Sequence, residues 1–234
     1  MLSSIQSYLN DFSHLIFPHN CEGCGTDVLN DDELLCAKCA HQLPTTNFFA
    51  SPDNPVEKIF YGRLNLVAAA SAYYFTKDSL LQHLLIQLKY KNNKDVGFYL
   101  GKMMGQMLNE SERFKDVDAL IPLPLNPKKE QKRGYNQAAI ICDGIAAIWN
   151  KPVVKSAVVR TLFTETQTQQ DRIHRWQNME GVFAVEDEKA INNKHILLVD
   201  DVVTTGATLE ACGSAILKIA NTKLSIATVA YTII

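Results

Sequence analysis

Asp200 and Asp201 stand side by side after the apolar run Ile196–Val199. A tract of small and hydroxyl-bearing residues follows them, from Val203 through Thr204, Thr205, Gly206 and Ala207 to Thr208. Read as a strand, a turn and the start of a helix, this order places two carboxylates at the carboxyl end of a strand, where open α/β sheets bind their ligands. The turn offers successive peptide N–H groups and a helix N-terminus, which together form a nest for an anion. Gly206 permits close backbone approach, and the hydroxyls of Thr204, Thr205 and Thr208 can donate to phosphate oxygens. Carboxylates beside such a nest would repel a phosphate unless a hydroxyl-bearing group stood between them. A ribose 5′-phosphate meets both demands, with its ring hydroxyls donating to the acids and its phosphate entering the turn.

A second cluster lies near the start of the chain. Four of the six cysteines form two C-x2-C pairs, Cys21/Cys24 and Cys36/Cys39, with eleven residues between the pairs. Each pair can make a tight knuckle, and together they supply four thiolates to one tetrahedral ion. Four soft sulfur ligands leave no open position, so the expected occupant is a structural zinc, with an iron–sulfur cluster as the alternative. Gly25 suits the positive backbone angle that such knuckles need. A redox dithiol requires one pair at a helix start within a thioredoxin-like βαβ unit, and that context is missing. Cys142 and Cys212 fall on apolar helix faces and read as buried core.

Basic residues mark a third place. Lys128, Lys129, Lys132 and Arg133 lie in the loop Leu125–Gln137, beyond the expected strand Val117–Ile121 and Pro122-Leu-Pro124. There they could meet a pyrophosphate, and arginine adds a fork that matches phosphate oxygens. The polar stretch from Thr161 to Asn178 reads as an exposed flap or as a nucleic-acid contact.

The elements that position these residues follow from periodicity. Strand-like runs occupy Leu64–Phe75, Val117–Ile121, Val153–Val159, Ile196–Val199 and Leu224–Ile233. Between them lie helices striped by Leu81, Leu84, Leu85 and Leu88; by Val96, Leu100, Met103, Met104 and Met107; by Ala138, Ile141, Ile145 and Ile148; and over Leu209–Ala220. Strands alternating with helices predict an α/β fold with a parallel sheet. The methionine stripe reads as core filling. Leu2, Ile5, Leu9, Phe12 and Ile16 fall at helical spacing, and that start lacks a basic leader region, so it reads as a docking helix. Proline and asparagine punctuate residues 44 to 55. The expected organisation is therefore a helix plus cysteine module over 1–45, a linker over 46–63 and the main domain over 64–234.

Bulk properties exclude some classes. A net charge of −2 over 234 residues gives no global pull toward nucleic acid. The longest uncharged apolar run, Leu66–Phe75, is half the length a membrane span needs, roughly twenty residues, so no membrane insertion is expected. The expected compartment is the cytoplasm, where disulfides are disfavoured. Neither G-x-G-x-x-G nor G-x-x-x-x-G-K-[ST] occurs, leaving the dinucleotide fingerprint and the P-loop unsupported.

The segment Ile196–Thr208 resembles the thirteen-residue signature of the type I phosphoribosyltransferases: four apolar residues, two acids, two variable positions, then TTGAT. Pro122-Leu-Pro124 with Arg133-Gly134-Tyr135-Asn136-Gln137 resembles the "P-x-P-L…RGFNQ" block of the ComF family. Leu88-Lys89-Tyr90 is similar to that family's lysine–tyrosine element. Arg160, Gln167, Arg172, Arg175 and Asn178, ahead of Gly181-Val-Phe183, resemble its "R…Q…R-x-x-R-x-x-N…G-x-F" segment, and the double C-x2-C is a further shared feature. Gln170 departs from the leucine common there, and Tyr135 replaces phenylalanine conservatively.

The resemblance implies a type I phosphoribosyltransferase fold, a mainly parallel sheet flanked by helices, with a small N-terminal zinc module held by four cysteines. It implies binding of 5-phosphoribosyl 1-diphosphate (PRPP) with magnesium, through Lys89, Pro124, Arg133, Asp200, Asp201 and residues Val203 to Thr208. Asp200, Asp201 and Arg133 would be the catalytic groups in a displacement that releases pyrophosphate. It also implies a link to DNA uptake, and with it single-stranded DNA or a helicase-like protein as partners. Two functions remain open at this point: transfer of phosphoribose to an acceptor, or non-catalytic binding of PRPP or a nucleotide.

Overall fold

The computed structural model describes residues 20–27, 33–161 and 181–232. Its centre is a parallel four-stranded sheet built from β1 (Ala68–Phe75), β2 (Ala119–Pro122), β5 (His195–Val203) and β6 (Lys223–Thr232), in the order β1-β6-β5-β2. These strands are buried almost throughout, as the near-continuous apolar runs of a parallel sheet require. A separate antiparallel pair, β3 (Val158–Arg160) and β4 (Phe183–Val185), stands beside it.

Seven α-helices are formed among the described residues: α1 (Ala37–His41), α2 (Pro55–Phe60), α3 (Leu80–Tyr90), α4 (Lys94–Asn109), α5 (Pro127–Arg133), α6 (Gln137–Trp149) and α7 (Ala207–Leu217). Helix α6 packs on β2 and β5, and α7 on β4, β5 and β6. The predicted leucine stripe of α3 is buried, and so are Leu100 and Met104 of α4. What brings α4 against α6 is a ridge of small residues. A Cβ on Gly101 would lie 2.2 Å from the Ile141 carbonyl oxygen, and one on Gly144 would lie 2.2 Å from that of Phe98. The two helix backbones therefore touch, while Met104 is fully buried and Met103 and Met107 pack partly buried against the core.

Three expectations change. First, the strand at Ile196 does not end before the acids but runs through them to Val203, paired with β6 as far as Tyr231. On its other side β2 stops at Pro122, opposite Val199. Asp200 onward thus lies where one neighbour has left the sheet. Second, Val153–Val159 is not one strand. Val153 bridges Leu120 of β2, whereas Val158 and Val159 turn away into the antiparallel pair. Third, residues 46–63 are packed rather than extended as a connector. Asn54 caps α2 by accepting from Val56 N at 3.0 Å, and its Nδ2 donates to Ala69 O at 2.8 Å. Arg113 donates to the carbonyls of Phe48 and Ser51 and pairs with Glu57. Phe48, Phe49, Val56 and Phe60 are buried by these contacts.

The helix expected at Leu2–Ile16, and the expectations for Gln167, Gln170, Arg172, Arg175 and Asn178, lie outside the described residues. Among the described residues no helix is long and apolar enough to cross a membrane.

Candidate phosphoribosyl site and cysteine cluster

Beyond β5 the chain turns through Thr204 and Thr205, both exposed, into the buried Gly206 at φ 73°, ψ 0°. Side chains rarely accept that left-handed conformation, and here space forbids one as well. A Cβ on Gly206 would come within 2.7 Å of Ile59 and 2.8 Å of Phe60 on α2. Gly206 is the N-cap of α7 and contributes no side-chain acceptor, so the first N–H groups of the helix at Ala207 and Thr208 are left for an external partner. From behind, Arg63 braces the turn. It donates to Thr205 O at 2.9 Å and Ile59 O at 3.0 Å, and it pairs with Glu210 on the first turn of α7. Arg63 carried no signal in the sequence, because its partners lie up to 147 residues away.

The two acids occupy an electrically unbalanced place. Asp201 is 5% exposed. Its Oδ2 accepts no well-aligned hydrogen bond, and its ionic partner is the Lys89 ammonium at 3.0 Å. Burial and the neighbouring Asp201 charge push the Asp200 carboxyl well above the usual carboxylate range, against the pull of the Asp201 peptide N–H, Lys89 and Arg133. One of its oxygens accepts that N–H at 2.8 Å. Such a pair is poised to take hydrogen-bond donors from a ligand.

Arg133 and Lys89 converge from two different helices. Arg133 ends α5, where Gly134 adopts φ 81° as the cap, and its guanidinium donates to Gln137 and lies 5.8 Å from the ring centre of Tyr90. Lys89 sits in the last turn of α3. Lys89, Tyr90, Asn92, Lys129, Lys132 and Arg133 line a cleft of about 340 Å³. Four of these six are cations, which suits an anion such as a pyrophosphate. Lys128, grouped with them on sequence, does not line this cleft.

Every residue of the Arg133–Gln137 block has a local task. Tyr135 is nearly buried and donates its hydroxyl to Leu88 O, fixing the end of α3 next to Lys89. Asn136 caps α6, accepting from Ala138 N at 2.9 Å, and donates to Leu123 O at 3.0 Å. Pro124, however, is not brought to the cationic cleft. It lines another cleft of about 390 Å³, between the Pro124–Pro127 loop and β3.

The four cysteines of the first segment meet. Their Sγ atoms all lie within 4.8 Å of one another, and Cys24 and Cys36 are 3.7 Å apart. A tetrahedral ion with bonds of about 2.3 Å places sulfurs roughly 3.8 Å apart, so the cluster can hold one. Gly25 takes the expected positive angle, φ 72°. Burial opposes ionisation of Cys21, yet donation from the N–H groups of Cys36, Cys24 and Gly23 outweighs it and lowers the thiol to about 6. Ligating sulfurs must be thiolates; in the same cluster burial and contacts with the other three cysteines push the Cys39 thiol up to about 12. Cys142 and Cys212 are fully buried and far from ordinary thiol acidity, chiefly through burial.

Comparison with known proteins agrees with this geometry. The family described as "Phosphoribosyl transferase domain" matches residues 135–233. The DNA utilization protein YhgH of Escherichia coli O157:H7 is 27% identical over 191 residues, which cover 80% of this chain and 79% of that protein. Competence protein F of Haemophilus influenzae is 28% identical over 143 residues, 59% of this chain and 62% of the relative. Competence protein ComFC of Bacillus subtilis is 29% identical over 99 residues, 42% and 38% of the two chains. The chain thus spans less than two thirds of the length of the latter two. Among solved structures, the glutamine PRPP amidotransferase of B. subtilis, complexed with ADP and GMP, aligns with a TM-score of 0.44 at 17% identity, over 61% of this chain and 30% of that one. A parallel sheet with flanking helices, acids followed by a threonine-lined turn, and a four-cysteine cluster occur here in one chain: it has a type I phosphoribosyltransferase fold and is similar to the competence and DNA utilization proteins of the ComF type.

Proposed function

We propose that this protein binds PRPP and transfers its phosphoribosyl group to an acceptor with release of pyrophosphate. The observation that carries the reading is the under-satisfied pair Asp200–Asp201, set between an uncapped helix N-terminus and a cationic cleft. In this reading the 5′-phosphate accepts from the N–H groups and hydroxyls of Val203 to Thr208. The ribose hydroxyls donate to Asp200 and Asp201, and Lys89 holds the charge of Asp201 in check until they arrive. The bond from the anomeric carbon to pyrophosphate breaks as the bond to the acceptor forms. Arg133 and Lys89 hold the departing anion, while the two acids favour the positive charge that develops on the ring. Magnesium bound with PRPP supplies further neutralisation of the pyrophosphate oxygens.

The cysteine cluster, in the same reading, holds a structural zinc in a cytoplasmic protein whose role is tied to the use of incoming DNA, as the names of its relatives suggest. Purified protein should carry about one equivalent of tightly held zinc; less than half an equivalent would contradict this.

A second reading rests on a different feature. Tyr90 is 73% exposed beside Lys89, Lys129, Lys132 and Arg133, and Phe98 is 39% exposed in a neighbouring cleft where Lys91, Lys94 and Lys102 alternate with Glu22, Glu33 and Asp95. Aromatic faces among lysines suit stacked bases of single-stranded DNA, with PRPP or a nucleotide then acting as a bound regulator. A pyrophosphate-release screen across nucleobases and amines separates the two. Magnesium-dependent release that rises with one acceptor supports transfer. PRPP binding without turnover, together with salt-sensitive binding to single-stranded DNA, supports the regulatory reading.

A further inference from the structure

We infer that Glu22, inside the first cysteine knuckle, is a positioning residue for the phosphoribosyl site and couples the cysteine module to it. The inference rests on the PRPP reading above. Glu22 lies between Cys21 and Cys24, so its backbone is fixed by the knuckle, and its N–H donates to Leu34 O at 3.0 Å. Its carboxylate leaves the module and binds the main domain with both oxygens. Gln87 Nε2 donates to Oε2 at 2.8 Å, and Asn93 Nδ2 donates to Oε1 at 2.9 Å.

Those two amides bracket the junction of α3 and α4. Gln87 is in the last turn of α3, and Asn93 is the N-cap of α4, accepting from Val96 N. Between them lie Lys89, which reaches Asp201, and Tyr90, which stacks on Arg133. Asn92 in this junction adopts φ 56°, so the corner is sharp. Tyr135 holds it from the other side through Leu88 O. Glu22 is thus one of two clamps on the helix end that delivers Lys89. The module also approaches the start of α3: an added Cβ on Gly23 would lie 3.0 Å from the Leu80 side chain. A cysteine module that served only to stabilise itself would need no carboxylate aimed at this corner.

The test compares Glu22→Ala with Glu22→Gln. The amide can keep both contacts after a flip of Gln87, Asn93 being held in place by its cap to Val96 N, whereas alanine keeps neither. Calorimetry with PRPP and magnesium should show a dissociation constant raised about fivefold in Glu22→Ala and close to wild type in Glu22→Gln. Both variants should retain the wild-type metal content. In a Lys89→Ala background the alanine change should add nothing further. Without ligand, hydrogen exchange over residues 87–94 should rise in Glu22→Ala alone. The inference is overturned if Glu22→Ala binds PRPP as wild type does, if it loses metal, if its effect persists undiminished without Lys89, or if exchange at 87–94 stays unchanged. Should wild type itself fail to bind PRPP, the functional reading falls, while the exchange measurement still judges Glu22.

Discussion

Strand β5 carries buried polar groups at both ends, and the two ends are built differently. At the start, His195 is 5% exposed; its Nε2 is 2.9 Å from Ser225 Oγ, its N–H donates to Asp118 at 2.7 Å, and its carbonyl accepts from Asp118 N at 2.8 Å. That network is closed within the protein. At the other end, Asp200 and Asp201 are adjacent carboxyls whose close cation is Lys89, 3.0 Å from an Asp201 oxygen that accepts no well-aligned hydrogen bond. Closed networks hold a fold together, whereas an open one of like charges costs stability and persists where a ligand completes it. The contrast sets the proposed site at one end of a single strand.

The comparison can be broken by substitution at each end. The largest stability effect should come from His195→Leu, which strands the fully buried Ser225 hydroxyl at a cost of about 1–3 kcal/mol. Denaturant unfolding should register that loss, and the dissociation constant for PRPP should stay at the wild-type value.

The two ends should also answer pH in opposite senses. Burial lowers the His195 pKa, with Lys223 adding to it and Asp118 and Asp116 opposing. A histidine depressed in the folded state gives stability that is present above its unfolded value, about 6.5, and lost as pH falls through the folded one. Asp200 is raised, so its contribution is full below the ordinary carboxylate range and lost as pH rises through the folded value. Asp200→Asn should therefore raise the melting temperature of the ligand-free protein by a few degrees, about 2–4 °C, at pH 8 and by less at pH 5. Thermal melts at both pH values check this; an equal shift at the two would contradict the assigned cause.

A smaller effect should sharpen the picture of the phosphate turn. Arg63→Gln removes the brace on Thr205 without touching the acids. Affinity for ribose 5-phosphate should fall about threefold, close to the loss of one hydrogen bond, while affinity for pyrophosphate stays unchanged. Competition calorimetry with the two ligands distinguishes these, and equal weakening of both would mean that the brace is not local.

Much of the candidate site could be read from the sequence because its parts are contiguous there. Acids, threonines and Gly206 occupy one strand–turn–helix, and the paired cysteine spacing carries its own geometry. The parallel sheet followed from alternating periodicities. What periodicity does not reveal is where one strand outlasts its neighbour: β5 reads as ending at Val199 because its apolar run ends there, yet backbone pairing with β6 continues through two acids. The packing of residues 46–63 was hidden because Asn54 and Glu57 find partners at Ala69 and Arg113. Arg63 and Glu22 were silent for the same reason, since charged residues announce nothing until the fold supplies Glu210, Gln87 and Asn93. Gly97, Gly101 and Gly105 drew no reading from the sequence, because only their approach to α6 gives them a purpose.

The claim at the centre is that Asp200 and Asp201 grip a ribose whose phosphate lies in the turn behind them. Calorimetric titration of PRPP with magnesium into wild type and into Asp200→Asn/Asp201→Asn tests it most directly. The account predicts saturable one-to-one binding in wild type and affinity reduced by at least about a hundredfold in the double variant, two charge-assisted hydrogen bonds having been lost. Equal affinity in the two proteins, with the variant folded, would contradict it.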